Sequence, residues 1–242
     1  MRQTNLTGES PEHAAAREEL RQAEIELMRQ GERVAERRRR LPPGPLVEDY
    51  ELEEGPADLD EGDSPARTVR LSGLFTGPGR ELVVYHLMYG KAQTEPCPMC
   101  TMWVDGFNGV ARHIAQNVDF AVVAAAGLPE LRAHARDRGW ANLRLLSAGE
   151  STFKYDLGSE DAEGGQDSTV SVFTRDASTR DGSGSPAEGA GEGPVRHVYS
   201  VHPRMSDDIA ERGIDLLSPV WHVLDLTRAG RGDWYPALGY GS

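Results

Sequence analysis

Residues 82–103, LVVYHLMYGKAQTEPCPMCTMW, join an apolar run to a CxxC motif, and the predicted architecture is built around this junction. Residues 82–90 are rich in Val, Tyr, Leu and Met, which is typical of a strand buried on both faces. After the motif, apolar side chains follow the spacing of one helix face, at Trp103, Phe107, Val110 and Ile114. The sequence therefore predicts a strand, a loop and a helix, with the CxxC motif at the start of the helix.

Cys97 and Cys100 are the only cysteines of the chain. A helix N-terminus has unpaired amide groups and a partial positive charge, and both stabilise a thiolate. Such a position lowers the pKa of a cysteine from its usual value of about 8.5. We therefore predict that Cys97 attacks and that Cys100, nearly one turn further into the helix, resolves. The alternative is a pair of ordinary buried thiols, since free cysteine packs as a small apolar residue.

The segments that flank the junction alternate between strand and helix patterns. Apolar or β-branched runs predict strands, and amphipathic or capped segments predict helices, over residues 118–127 (strand), 128–139 (helix), 142–147 (strand), 168–176 (strand), 196–203 (strand) and 205–217 (helix), followed by a closing segment over 220–227. Alternation implies parallel strands at the centre of the sheet, and the late hairpin implies an antiparallel edge. The expected fold class is a mixed α/β sandwich.

Several of these segments resemble one bacterial family. They are LVVYHLMYG, CPMCTMWVDGFNGVARHI, VDFAVVA, the pair GW at 139–140, SVFTRD and VLDLTRAGR. The chain resembles, over roughly residues 15–235, the bacterial thioredoxin-like family called domain of unknown function 899. The resemblance implies a thioredoxin-like fold, in which helices flank a mixed central sheet, preceded here by an N-terminal extension helix.

Comparison with thioredoxins themselves shows three departures. Thioredoxins have Gly-Pro between the cysteines, where this chain has Pro98 and Met99. They place a cis-proline before the strand that faces the cysteines, where this chain has Ser168 and Thr169. His86 stands where thioredoxins bury an acid. These departures favour a specialised role over general disulfide reduction.

The first functional hypothesis is a thiol–disulfide oxidoreductase with no required cofactor, acting on a small-molecule or protein thiol or disulfide. Cys97 and Cys100 cycle between dithiol and disulfide, and His86 shuttles the proton of Cys100. The second hypothesis is a copper-binding enzyme or carrier, because thiolates and thioethers favour Cu(I) and His86 adds a nitrogen ligand to the same cysteines. The third is a binding scaffold in which the cysteines are dispensable. Structural zinc is disfavoured, because the sequence has no second CxxC pair.

The sequence divides into an N-terminal helical extension over residues 1–45 and a thioredoxin-like domain over residues 46–242. A helix is predicted from residue 11 to residue 41, with Ser10 as its cap. Leu20, Leu27 and Val34 repeat every seven residues. This stripe fits either a helix that lies on its own domain or one that pairs with a second copy in a homodimer, and the arginines at 37–40 leave nucleic-acid contact as a third reading.

The composition limits the partners and the location. The net charge of −13 argues against phosphate-backbone binding over most of the surface, so no nucleic-acid partner is expected. No segment approaches the run of about 18 apolar residues that a membrane helix needs, and the start lacks the order of a secretory signal. We expect a cytoplasmic protein. Residues 176–194 are Gly, Ser, Pro and Glu-rich, which predicts a disordered insertion.

Overall fold

The computed structural model describes residues 7–176, 193–207 and 212–240. The chain forms two compact units, Met1–Pro43 and Gly44–Ser242. The helices are α1 (Pro11–Arg39), α2 (Pro98–Ile114), α3 (Leu128–Arg138), α4 (Phe153–Asp156) and α5 (Pro219–Asp225). The strands are β1 (Glu51–Glu54), β2 (Arg67–Arg70), β3 (Leu82–His86), β4 (Asp119–Ala124), β5 (Arg144–Ser147), β6 (Thr169–Arg175) and β7 (Val195–Val201). Short 3-10 turns cover Leu59–Glu61, Leu71–Leu74 and Asp215–Leu217.

The first unit is built around α1, which ends two residues before its predicted end. Ser10 caps the helix as predicted, since its hydroxyl accepts a hydrogen bond from the His13 amide at 3.1 Å. Arginines fill the last turn, where their charge is favourable against the helix dipole. Leu20 and Leu27 are 59% and 73% exposed. Pairing of the heptad stripe with a second copy stays a prediction.

The second unit contains one seven-stranded sheet in the order β2-β1-β5-β4-β3-β6-β7. β3, β4 and β5 are parallel neighbours at its centre, and β6 and β7 form an antiparallel hairpin beside β3. A second hairpin, β1 and β2, extends the sheet beyond β5. The β3–α2–β4 crossover beside the β6–β7 hairpin confirms the predicted mixed α/β, thioredoxin-like fold.

Side chains of β3 alternate between the two faces of the sheet. Val83, Tyr85 and Leu87 pack on the face that α2, α3 and α5 cover, together with Trp103 and Trp140. Leu82 and Val84 pack on the opposite face, with residues of β1, the Leu71–Leu74 turn and α4. His86 belongs to this opposite face, because its ring stacks on Phe153 with centroids 5.2 Å apart. The parity of β3 therefore directs Tyr85 towards the helix that carries the cysteines, and His86 away from it.

Two segments near the ends of the domain differ from the predicted elements. Within the described part of residues 205–217, the predicted helix is replaced by a 3-10 turn at Asp215–Leu217, while 208–211 lie outside the described residues. The segment predicted only as a closing stretch is α5, which begins at Pro219 because proline fits the first turn of a helix but not its interior. The short helix α4 has no periodic signal that a sequence pattern could reveal. The predicted disordered insertion falls largely on 177–192, outside the described residues.

A buried arginine ties α3 to the loop between β1 and β2. The side chain of Arg132 is 3% exposed. Its guanidinium donates to the carbonyls of Pro56, Asp58 and Gly62 at 2.8, 3.0 and 2.6 Å, and to the Asp63 carboxylate at 3.1 Å. These bonds satisfy loop carbonyls that have no strand partner. No helix in the described parts of the chain is long and apolar enough to cross a membrane.

Candidate functional site

Cys97 occupies the N-cap position of α2, directly after the loop that follows β3. Its own amide donates to the Met88 carbonyl at 2.9 Å, which holds the helix start against the end of the strand. Pro98 takes the first helical position, where its missing N–H leaves no bond unmade. Thr101 then donates to the Cys97 carbonyl at 3.0 Å and begins the helical ladder. The predicted strand–loop–helix junction is thus the element that positions the cysteine pair.

The Cys97 thiol is partly exposed and more acidic than an ordinary cysteine. A hydrogen bond from the Cys100 thiol, with the backbone amides of Cys100 and Met99 and the Tyr235 hydroxyl, lowers the pKa of Cys97 to about 6, against the opposing effect of its burial. The Tyr235 hydroxyl lies 3.9 Å from the sulfur. Met99 and Cys100 are the second and third residues of α2. The side chain of an N-cap residue normally accepts hydrogen bonds from the amides at these two positions. Cys97 is therefore mostly a thiolate at neutral pH.

Cys100 has the opposite environment. It is 1% exposed, and burial, together with the neighbouring Cys97, raises the pKa of its thiol well above the usual value. No disulfide joins the two cysteines in this structure. An accessible, ionised sulfur paired with a buried, protonated one is the division of labour predicted for an attacking and a resolving thiol.

Tyr85 is the β3 side chain that faces the thiols. Its hydroxyl is fully buried beside Cys100 and Ser168, and no protein group among the described residues completes a hydrogen bond with it. Burial raises the pKa of Tyr85 well above its usual value, so the group stays protonated and remains a donor. Formation of a Cys100 thiolate would supply the acceptor that this hydroxyl lacks. Tyr85 thus has the chemistry to stabilise a Cys100 thiolate.

His86 lies in a different polar network. Its Nδ1 is 2.8 Å from the Ser159 hydroxyl and its Nε2 is 3.1 Å from the Ser171 hydroxyl. Both ring nitrogens are therefore engaged, and no hydrogen bond joins His86 to either thiol within the described residues. Burial, with the positive charge of Lys154, lowers the pKa of His86 well below its usual value, so the ring is neutral. The structure brings Cys97 and Cys100 together. It does not bring His86 to them, because the His86 side chain lies on the opposite face of the sheet.

A cavity of about 420 Å³ opens onto the two thiols. Ser168, the residue before β6, lines it. Apolar walls come from Met99 and Trp103, and Tyr235 closes the side nearest Cys97. The cavity leaves Cys97 accessible, while Cys100 is 1% exposed.

The ligand set proposed for copper is not assembled. Within the described residues, no three His, Cys, Asp or Glu side chains lie close enough together to hold a metal ion. The reason is the orientation of His86, whose two nitrogens contact serines on the far face of the sheet.

Sequence reasoning missed Tyr85 and Tyr235 as members of this site. Tyr85 precedes His86 in a strand that is apolar on both faces, so no alternation marks which of them meets the cysteines. Tyr235 lies 138 residues beyond Cys97 in a segment without regular structure. The local signal for it is weak: an aromatic pair, Trp234 and Tyr235, in a Gly-rich tail.

A family model described as "Bacterial protein of unknown function (DUF899)" matches residues 2–237 of the chain, which confirms the resemblance drawn from the sequence. A search of the curated proteins gives no significant match. Among solved structures, the chain is similar to reduced Prx3 in complex with hydrogen peroxide from Vibrio vulnificus, at 14% identity and a TM-score of 0.44, covering 73% of this chain and 96% of that one.

Two further solved structures show a similar degree of likeness. AhpC from Mycobacterium tuberculosis matches at 16% identity and a TM-score of 0.44, covering 76% of this chain and 98% of that one. A peroxiredoxin-like protein from Aquifex aeolicus matches at 13% identity and a TM-score of 0.40, covering 66% of this chain and 75% of that one. These likenesses carry no argument about the activity of this chain.

Proposed function

We propose that this chain, which belongs to the bacterial family of unknown function DUF899, is a thiol–disulfide oxidoreductase that uses Cys97 and Cys100 on a small molecule or a partner protein. One observation supports this proposal above the others: Cys97 is an accessible thiol with a pKa of about 6 at the mouth of a cavity, and a buried thiol lies one helical turn behind it. A scaffold that merely binds needs no such difference between two neighbouring thiols.

The reaction begins with the Cys97 thiolate, which attacks one sulfur of a disulfide bound in the cavity. A bond forms between Cys97 and that sulfur, the substrate disulfide breaks, and the first substrate thiolate leaves and takes a proton from water. Met99 and Trp103 exclude water from one side of this exchange. The product is a mixed disulfide at the accessible sulfur.

Cys100 then completes the cycle. Its thiol loses a proton and attacks the Cys97 sulfur, which forms the Cys97–Cys100 disulfide and releases the second substrate thiolate. The substrate sulfurs gain two electrons, which the two protein sulfurs supply. The first product takes its proton from water, and the second takes the proton that Cys100 loses. Tyr85 assists this step by donating to Cys100 as the charge appears, since its hydroxyl is protonated and otherwise without a bond among the described residues.

The experiment is a single turnover. Protein reduced with dithiothreitol and freed of the reagent is mixed with oxidised glutathione, with and without a metal chelator. We expect two glutathione thiols per protein and an intramolecular Cys97–Cys100 disulfide, in equal yield with chelator. Two matched variants separate the two steps. The reaction of Cys100→Ser should stop at a glutathione adduct on Cys97, and Cys97→Ser should release no thiol.

Two results would refute the proposal. If wild type and Cys97→Ser release thiol equally, Cys97 is not the nucleophile. If the chelator abolishes the reaction of wild-type protein, the chemistry depends on a metal and the thiol cycle does not explain it.

A further inference from the structure

Lys154 is a fully buried lysine in α4, with 0% of its surface exposed. Its Nζ donates to the Leu87 carbonyl at 3.1 Å, and this is its one hydrogen-bond partner among the described residues. Buried ammonium groups are costly unless paired, and no carboxylate in the described parts of the chain forms an ion pair with Nζ. The chain contains only two lysines among its 26 basic residues, the other being Lys91. A lone buried ammonium group in an arginine-rich protein therefore calls for a functional explanation.

The peptide unit between Leu87 and Met88 connects this ammonium group to the thiols. Its carbonyl, from Leu87, accepts from Lys154 at 3.1 Å, and the backbone amide of Met88 acts to lower the pKa of the Cys100 thiol. The next carbonyl, of Met88, accepts the amide of Cys97. One rigid peptide therefore has a cation at its oxygen end and the resolving sulfur at its amide end. A cation at the oxygen polarises the peptide and strengthens the bond that its N–H donates.

The geometry points to Lys154 as a positioning residue for the resolving thiol: we propose that its ammonium group stabilises the Cys100 thiolate through the Leu87–Met88 peptide. This inference rests on the proposed function, in which Cys100 must ionise to release the second product. Lys154 touches no substrate, and it acts through a backbone group that no substitution of a side chain can remove.

The surroundings of Lys154 set the pH range in which its side chain is charged. Burial lowers the pKa of Lys154 to about 8, while Cys100, Glu160 and Asp167 oppose that shift. His86, on the adjoining strand, is neutral and adds no competing positive charge. Lys154 is therefore an ammonium group at neutral pH and loses its charge as the pH rises through about 8.

This titration gives the resolving step a characteristic pH profile. The reactive form has a charged Lys154 and an ionised Cys100, so it contains the same number of protons as the form with neutral Lys154 and protonated Cys100. Its population rises tenfold per pH unit below the pKa of Lys154 and stays constant above it. Without Lys154, the population of Cys100 thiolate continues to rise until Cys100 itself titrates, well above its usual pKa.

The test follows glutathione release from the adduct on Cys97, which is formed at acidic pH, where protonated Cys100 resolves slowly, and is then mixed into buffers at a series of pH values. In wild-type protein the release rate should rise with pH and level off near pH 8. In Lys154→Met it should be roughly tenfold slower at pH 7, the equivalent of about one pH unit, and should rise through pH 8 without levelling. Lys91→Met, which removes an exposed lysine, should match wild type.

A second measurement needs no variant and covers the case in which Lys154→Met fails to fold. Protein grown with ¹³C-lysine gives two side-chain signals, and Lys91→Met assigns them. The midpoint of the Lys154 titration should coincide with the pH at which release from wild-type protein levels off. Separate midpoints, or equal pH profiles in wild type and Lys154→Met, overturn the inference about Lys154 and leave the thiol cycle intact. Absence of any release from the adduct overturns the proposed function instead, since Cys100 then does not resolve.

Discussion

Replacing Cys100 by alanine should make Cys97 a weaker acid. The Cys100 thiol contributes most to the lowering of the Cys97 pKa to about 6, and alanine removes that donor while it keeps the backbone amides of α2. A hydrogen bond to a charged group contributes about 1.5–3 kcal/mol. This corresponds to about 1–2 pKa units, so the pKa of Cys97 should rise to roughly 7–8.

The expected effect on reactivity is large enough to measure at neutral pH. A thiol with a pKa of about 6 is roughly 90% ionised at pH 7, and one with a pKa of 7–8 is roughly 50% to 10% ionised. Alkylation of Cys97 by iodoacetamide should therefore slow roughly two- to tenfold at pH 7 in Cys100→Ala. The matched variant is Cys100→Ser, because its hydroxyl still donates to the Cys97 sulfur. Its midpoint should stay within about half a pH unit of wild type.

The assay is the alkylation rate of Cys97 as a function of pH, with the adduct located by mass spectrometry. A wild-type midpoint near 9 would refute the assignment of Cys97 as a low-pKa nucleophile. Equal midpoints for Cys100→Ala and Cys100→Ser would show that the α2 amides alone stabilise the thiolate and that the Cys100 thiol does not contribute.

Two other parts of the chain give predictions that do not involve the thiols. Removal of residues 1–41 should convert a dimer into a monomer if the α1 stripe pairs with a second copy, and sedimentation that gives the monomer mass for both proteins would contradict this. Arg132→Met should lower the free energy of unfolding by at least about 1–3 kcal/mol, because it leaves buried loop carbonyls without a donor. Arg136→Met, at a partly exposed side chain, should lower it clearly less. Equal denaturant midpoints for the two arginine variants would show that the Arg132 bonds contribute nothing to stability.

The central elements of the fold could be predicted because their signals are local. Apolar runs bounded by Gly and Pro marked β3 and β4, and Pro98 with the helical spacing of Trp103 and Phe107 marked α2. The position of Cys97 and Cys100 followed directly from these elements. No pattern in β1 indicated that it would pair with β5, because pairing between distant strands leaves no periodic trace in either of them.

The surroundings of the thiols could not be predicted for the same physical reason. A strand that is buried on both faces gives no parity signal, so the sequence could not show that Tyr85 and not His86 meets Cys100. Lys154 was also out of reach, since its four-residue helix is too short to show periodicity and its burial depends on packing against the end of β3. The position of the motif could thus be predicted from the sequence, while the side chains around it depend on tertiary packing.

The strand order also constrains the route by which the chain assembles. Glu54 of β1 pairs with Leu146 of β5, roughly ninety residues later, so the β1–β2 hairpin is synthesised long before its neighbour exists. Contacts this distant in sequence slow folding, and an unpaired strand edge in the meantime can recruit other chains. The hairpin has ionic side chains along its strands, with Arg67 paired to Glu54 and Arg70 to Glu51. Charged strands of this kind resist edge-to-edge association. The unpaired edge of β1 is therefore protected from other chains until β5 is synthesised and pairs with it.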